Sequence, residues 1–83
     1  MAEYRIDLEN VTDKNIEIIK TLRCKSKNTA IRMAKKLSSG KEFEKAKSHP
    51  NGGFARVWVH GDLEDGSHTM QFEDGKCTYN TIG

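Results

Sequence analysis

Hydrophobic positions change period twice along this chain. Tyr4, Ile6 and Leu8 alternate with Arg5, Asp7 and Glu9, the two-residue period of a strand with one buried and one solvated face. Residues 10–15 then supply a run of turn formers. Ile16, Ile18, Leu22 and Cys24 share one parity, while Ile19 falls on the other and Lys20 breaks the pattern. This predicts a second strand over about 16–25 with a bulge or irregularity near Ile19. The two strands read as an antiparallel hairpin.

From there the period becomes helical. Ala30, Met33, Ala34 and Leu37 repeat at i, i+3, i+4, i+7, with Ile31 widening the stripe, which predicts a helix over about 27–39. Ser26 or Asn28 is its N-cap, and Gly40 stands where a C-cap glycine belongs. Phe43 and Ala46 suit a short helical turn over 41–47, and residues 49–53 a loop. Strand-forming residues return over 54–60, a turn is expected over 61–66, and alternation resumes over 67–72. Asp74-Gly75 is a strong hairpin signal, and residues 78–82 close the meander. The order β-β-α-β-β-β predicts one α+β domain over residues 1–83. One main helix packs as a second layer on a mostly antiparallel sheet of about five strands, with Val57, Val59, Met70 and Phe72 beneath it.

Charge changes the picture more than composition does. The net charge is only +2, yet residues 20–56 hold eleven of the fourteen Lys and Arg and two of the twelve Asp and Glu. A basic centre between acidic ends is an argument about partners. No apolar run approaches the roughly 20 residues of a membrane span, and no apolar core of a secretory signal is present, so a cytoplasmic protein is expected.

The chemistry-bearing residues are scattered. Cys24 and Cys77 fall in predicted strands without Cys-x-x-Cys spacing, and read as small buried hydrophobes. His60 and His68 flank one hairpin turn and can approach across it; Asp62, Glu64 and Asp65 crowd the same open turn, and His49 lies in a loop. No nucleophile elbow, phosphate loop or dinucleotide fingerprint occurs. A non-enzyme without cofactor or metal is expected.

Two features point to a partner. One is the basic segment. Asn28, Arg32, Lys35 and Lys36 share the helix face opposite the apolar stripe; Arg23, Lys25 and Lys27 lead into it, and Lys41, Lys45 and Lys47 leave it. Lys35 and Lys36 also suit the negative end of the helix dipole. The other is Trp58. If Val57 and Val59 face the helix, then Phe54, Arg56 and Trp58 face the other side of the sheet, where an aromatic beside Arg can anchor a protein or stack on bases. The expected partner-binding residues are Arg32, Lys35, Lys36, Lys25, Lys27, Arg23, Trp58 and Arg56.

Three short stretches carry a family resemblance: Tyr4-Arg5-Ile6, Asn28-Thr29-Ala30-Ile31-Arg32-Met33-Ala34, and Glu73-Asp74-Gly75-Lys76-Cys77. In that order they resemble the strand pair, capped helix and closing turn of small phage-encoded inhibitors of bacterial defence, the anti-CRISPR proteins of the type I-F class. Residues 41–53 stand as an insertion. The resemblance implies an inhibitor without catalysis that docks on a host CRISPR surveillance complex where target DNA should lie. Arg32 matches the basic helix position, with Lys35 and Lys36 beside it. The alternative is direct binding of RNA or DNA through the same basic segment. The sequence leaves monomer and dimer both open.

Overall fold

The computed structural model describes residues 3–48, 52–63 and 66–81. Five strands and two helices follow one another as β1 (Glu3–Val11), β2 (Ile16–Cys24), α1 (Lys27–Leu37), α2 (Lys41–Lys47), β3 (Phe54–Leu63), β4 (Gly66–Glu73) and β5 (Lys76–Asn80). The strands form one sheet in the order β2-β1-β3-β4-β5, antiparallel throughout. β1 is therefore a central strand, flanked by its hairpin partner and by β3. The expected α+β class with an antiparallel sheet is present, and a second helix joins it.

Ala30, Ala34 and Leu37 of α1 and Phe43 and Ala46 of α2 belong to one buried cluster with Tyr4, Ile6, Leu8, Ala55, Val57, Val59, Met70 and Phe72. Both helices contact β1 and β3. The cluster contains the four strand residues expected from sequence. Met33 and Ile31 are only partly buried at its margin.

Helix ends explain the extra element. Ser26 caps α1, its Oγ accepting from Thr29 N at 3.4 Å. The C-cap is Ser38, not Gly40, and α1 ends two residues before the expected boundary. Ser38 is buried; its Oγ donates to Lys35 O at 3.2 Å and accepts from Gly75 N at 3.0 Å, tying the helix end to the β4–β5 turn. Gly40 has an ordinary extended backbone at φ −99° and begins α2 as its N-cap. Two buried anchors, Phe43 and Ala46, turn the expected single turn into a packed helix.

The bulge falls at Ile19: Leu8 pairs with Lys20 and Glu9 with Ile18. Shared parity thus does not mean a shared face. Leu22, opposite Ile6, leans on the core, whereas Ile18 joins the Glu9 face and Ile16, Ile18 and Ile19 are exposed. Asn10 is not a turn residue but a buried part of β1; its Nδ2 donates to Ala46 O at 3.1 Å and Gly52 O at 3.0 Å, holding α2 and the chain before β3. Asp74 and Gly75 turn at φ 52° and 79°, the paired positive values of a two-residue type I′ hairpin.

Other expectations change. β3 continues to Leu63 and β4 begins at Gly66, so most of the expected 61–66 turn is strand. Glu64 and Asp65, like His49 and Ile82, lie outside the described residues. His60 pairs with Thr69 and His68 with Gly61, so strand alternation directs the two histidines to opposite faces, although both line one shallow concavity at that end of the sheet. Both cysteines are free thiols, but Cys24 is half-buried and Cys77 exposed, because β2 and β5 are edge strands. Among the described residues no helix is long and apolar enough to cross a membrane.

Candidate functional site

Strand alternation puts Arg5, Asp7 and Glu9 on the sheet face opposite Ile6 and Leu8. Register assembles the rest of that face. Glu9 lies opposite Arg56, Asp7 opposite Trp58 and Arg5 opposite His60. On the other flank Arg5 lies opposite Arg23 and Asp7 opposite Thr21. Trp58 faces Gln71, which faces Tyr79.

The sequence predicted a solvated polar side for β1, and the structure overturns this. Asp7 is 0% and Glu9 5% exposed. The reason is position: on a central strand, short carboxylates are overlaid by the long side chains of both neighbours. Asp7 accepts from Arg5 Nε at 3.1 Å and Thr21 Oγ1 at 2.8 Å, and Glu9 accepts from Arg56 Nε at 2.8 Å. Two guanidinium groups thus balance two buried carboxylates, the condition under which such charges are tolerated.

Aromatic contacts continue the network. The Arg56 guanidinium lies over the Trp58 ring, 4.7 Å from its centroid. Trp58 stacks on Tyr79 with planes 4° apart and centroids 6.1 Å apart, and meets His60 edge-on at 5.9 Å. His60 Nε2 is buried, 3.3 Å from Asp7 Oδ2, without a hydrogen-bond partner. Burial, and next the charge of Arg5, holds the imidazole below its usual range, against the opposing pull of Asp7 and Glu9. Asp7, Glu9 and His60 bring three potential ligand atoms within 4.8 Å of one another, a spacing that fits a cation. Both carboxylates already carry an arginine, so as built the cluster is an ion-pair network.

The helix face is separate. Arg32, Lys35 and Lys36 are exposed on α1, away from its buried Ala30, Ala34 and Leu37. None of the three makes an ion pair among the described residues. Arg32 only donates to Thr29 Oγ1 at 3.4 Å. Elsewhere part of the basic segment is committed: Lys20 to Glu42 at 2.9 Å, and Lys47 to Asp74 at 2.8 Å and Glu44 at 3.4 Å, while Lys25, Lys41 and Lys45, like the three on the helix face, make no such pair among the described residues. The bond to Asp74 is the main reason the Lys47 ammonium is held above its usual range.

The eight expected residues therefore divide. Arg32, Lys35 and Lys36 lie on the helix; Arg23, Arg56 and Trp58 lie on the open sheet face; Lys25 and Lys27 lie where β2 passes into α1. Sequence reasoning missed Arg5, Asp7, Glu9 and Tyr79, and weighed His60 only beside His68. The alternation of β1 was a sign of their shared face, but only register joins them to β3 and β5.

No protein-family model, curated protein or solved structure matches this chain.

Proposed function

We propose that the protein is a small non-catalytic inhibitor that docks on a host defence complex of the CRISPR type through the cationic face of α1, covering the surface where that complex holds nucleic acid. The observation that carries this reading is the uncommitted charge of Arg32, Lys35 and Lys36. Three adjacent cations on one rigid helix, with no carboxylate partner among the described residues, suit an anionic surface. Beside them Leu22, Met33 and Leu37 line a shallow cavity rimmed by Lys36 and Lys41, an apolar anchor next to the charges. The resemblance to type I-F anti-CRISPR proteins supplies the target class.

The test is competition. Purified type I-F surveillance complex is loaded with target DNA after incubation with the protein, and DNA capture is read on a native gel. The wild type is expected to block capture, and R32E/K35E/K36E to lose the block by tenfold or more while still unfolding cooperatively, at a lower temperature because two glutamates then face the negative end of the helix. The contact should also survive about 0.3 M salt, because screening removes steering before it removes buried contacts. A wild type that neither binds the complex nor blocks capture defeats the reading. A second reading, direct binding of nucleic acid, is favoured by a different observation, the Arg56–Trp58–Tyr79 stack on the opposite face.

A further inference from the structure

At one end of the open sheet face, Arg23, Arg5 and His60 stand in a row across β2, β1 and β3, each directly opposite the next. Opposite residues have Cβ atoms only about 5 Å apart, and like charges placed so are destabilising. The row borders a shallow concavity lined by Glu3, Arg5, Arg23, His60, Gly61, His68 and Thr69. Arg5 spends its Nε on Asp7, which fixes the guanidinium plane and leaves its terminal nitrogens directed elsewhere. Arg23 is exposed and held only by Glu3 at 3.9 Å, beyond hydrogen-bond distance. Two residues along β3 from His60, the row meets the Trp58–Tyr79 stack.

We propose that this concavity is a phosphate subsite, and that with the adjoining aromatic stack it binds a single-stranded nucleic acid. Arg5 and Arg23 take a backbone phosphate, and a base stacks on exposed Tyr79, which Trp58 supports from beside it. The charge pattern carries the choice of ligand. Juxtaposed arginines are relieved by an anion shared between them, and guanidinium forks match phosphate oxygens. Aromatic rings on a sheet beside such charges are the usual platform for unpaired bases. Arg56 is already held by Glu9 and laid over Trp58, so the platform is ordered before a ligand arrives. Among the described residues Glu3 is the one exposed carboxylate lining the concavity, and it competes with phosphate for Arg23. The inference rests on the second reading above and is independent of the helix face.

The chain has one tryptophan, so its fluorescence reports the stack directly. Full-length protein is titrated with a twelve-residue oligothymidylate, the same oligomer as a duplex, and inorganic phosphate. The expected result is quenching by the single strand, at least tenfold weaker binding of the duplex, and only millimolar competition by phosphate. Tyr79→Ala is expected to weaken binding about 5- to 100-fold, the range for loss of one stacked base. Arg23→Ala should reduce the slope of log affinity against log salt by about 0.7, one phosphate on a single strand. Glu3→Gln should tighten binding severalfold. Arg23, Tyr79 and Glu3 are exposed, so these variants keep the fold; Arg5 supports buried Asp7 and is tested as Arg5→Lys. R32E/K35E/K36E should leave oligomer binding within about threefold, which separates this inference from the docking reading. Binding lost in the helix variant but kept in Arg23→Ala and Tyr79→Ala would overturn it, as would absence of quenching at millimolar oligomer. A protein partner that captures this face while the oligomer does not would also overturn it.

Discussion

Arg5→Ala is expected to destabilise the protein more than Asp7→Ala, although each deletes the same ion pair. The asymmetry follows from burial, since the Asp7 side chain is 1% exposed and that of Arg5 is 44% exposed. Without Asp7, its two hydrogen-bond donors, Arg5 and Thr21, lie near water and recover hydrogen bonds there, so the loss is about 1–2 kcal/mol. Without Arg5, a carboxylate stays buried with one hydroxyl and a neutral imidazole. An uncompensated buried charge of this kind costs about 3–5 kcal/mol. A gap of about 2 kcal/mol separates the midpoints by roughly 8–16 °C in a domain of this size. Urea unfolding at pH 7.5, followed by far-ultraviolet dichroism, measures both variants without using the perturbed face as reporter. A pH series adds a second check. In Arg5→Ala, His60 loses the repulsion of Arg5 but keeps the attraction of Asp7 and Glu9, so protonation restores a partner and stability recovers from pH 7.5 to 6. In Asp7→Ala the attraction of Asp7 is lost while burial and the repulsion of Arg5 remain, and stability falls over the same range. Equal losses, or a larger loss for Asp7→Ala, would refute the reasoning.

Three further outcomes are expected. Leu37→Ala should cost about 2–5 kcal/mol by thermal melt, Met33→Ala less because Met33 is only partly buried, and Lys35→Ala no more than about 0.5. In the wild type, His60 is held below 6.5 by burial and then by Arg5, against the opposing pull of Asp7 and Glu9; its neutral form therefore contributes stability that is full above pH 6.5 and is lost as pH falls through the folded value. His60→Gln should flatten that part of a stability–pH curve. Gly53→Ala should be severely destabilising, because φ is 79° and a Cβ would strike Val11 O, whereas Gly52→Ala meets nothing and costs only the strain of φ 74°, about 1 kcal/mol; paired urea titrations separate them.

What the sequence made legible was local. The alternation of Tyr4, Ile6 and Leu8, the stripe of Ala30, Met33, Ala34 and Leu37, and the Asp74-Gly75 turn each follow from backbone geometry over a few residues; each is present, although Met33 is only partly buried. Gly40 was misread because a glycine after an apolar stripe suits a C-cap and equally the start of a new helix; buried Phe43 and Ala46 decide between them. Asn10 was misread because its partners, Ala46 O and Gly52 O, lie more than thirty residues away. The candidate site was half visible. Exposure of Arg32, Lys35 and Lys36 follows from helical periodicity, but burial of Asp7 and Glu9 depends on β1 being central, which strand patterning does not specify. The opposite faces of His60 and His68 depend on a one-residue register that a turn of uncertain length leaves open.

Charge and order make opposing predictions at two glutamates of the open face. Glu3→Gln and Glu9→Gln each raise the net charge by one. If the face attracts nucleic acid by net charge alone, both tighten oligothymidylate binding by similar factors. The structure gives the two residues different work. Glu3 is an exposed competitor for Arg23 and positions nothing else among the described contacts. Glu9 is buried and anchors Arg56 at 2.8 Å, and Arg56 in turn lies over Trp58. A neutral amide keeps a hydrogen bond of roughly half the strength, and the guanidinium then samples positions away from the ring. Binding must afterwards restore that order, which weakens affinity as side-chain immobilisation does generally, by about 0.5–1.5 kcal/mol. Glu9→Gln is therefore expected to weaken binding about two- to tenfold while Glu3→Gln tightens it, with both measured by Trp58 quenching at one salt concentration. Tightening in both variants would show that the ion-pair network serves the fold alone and does not prepare the aromatic stack for a ligand.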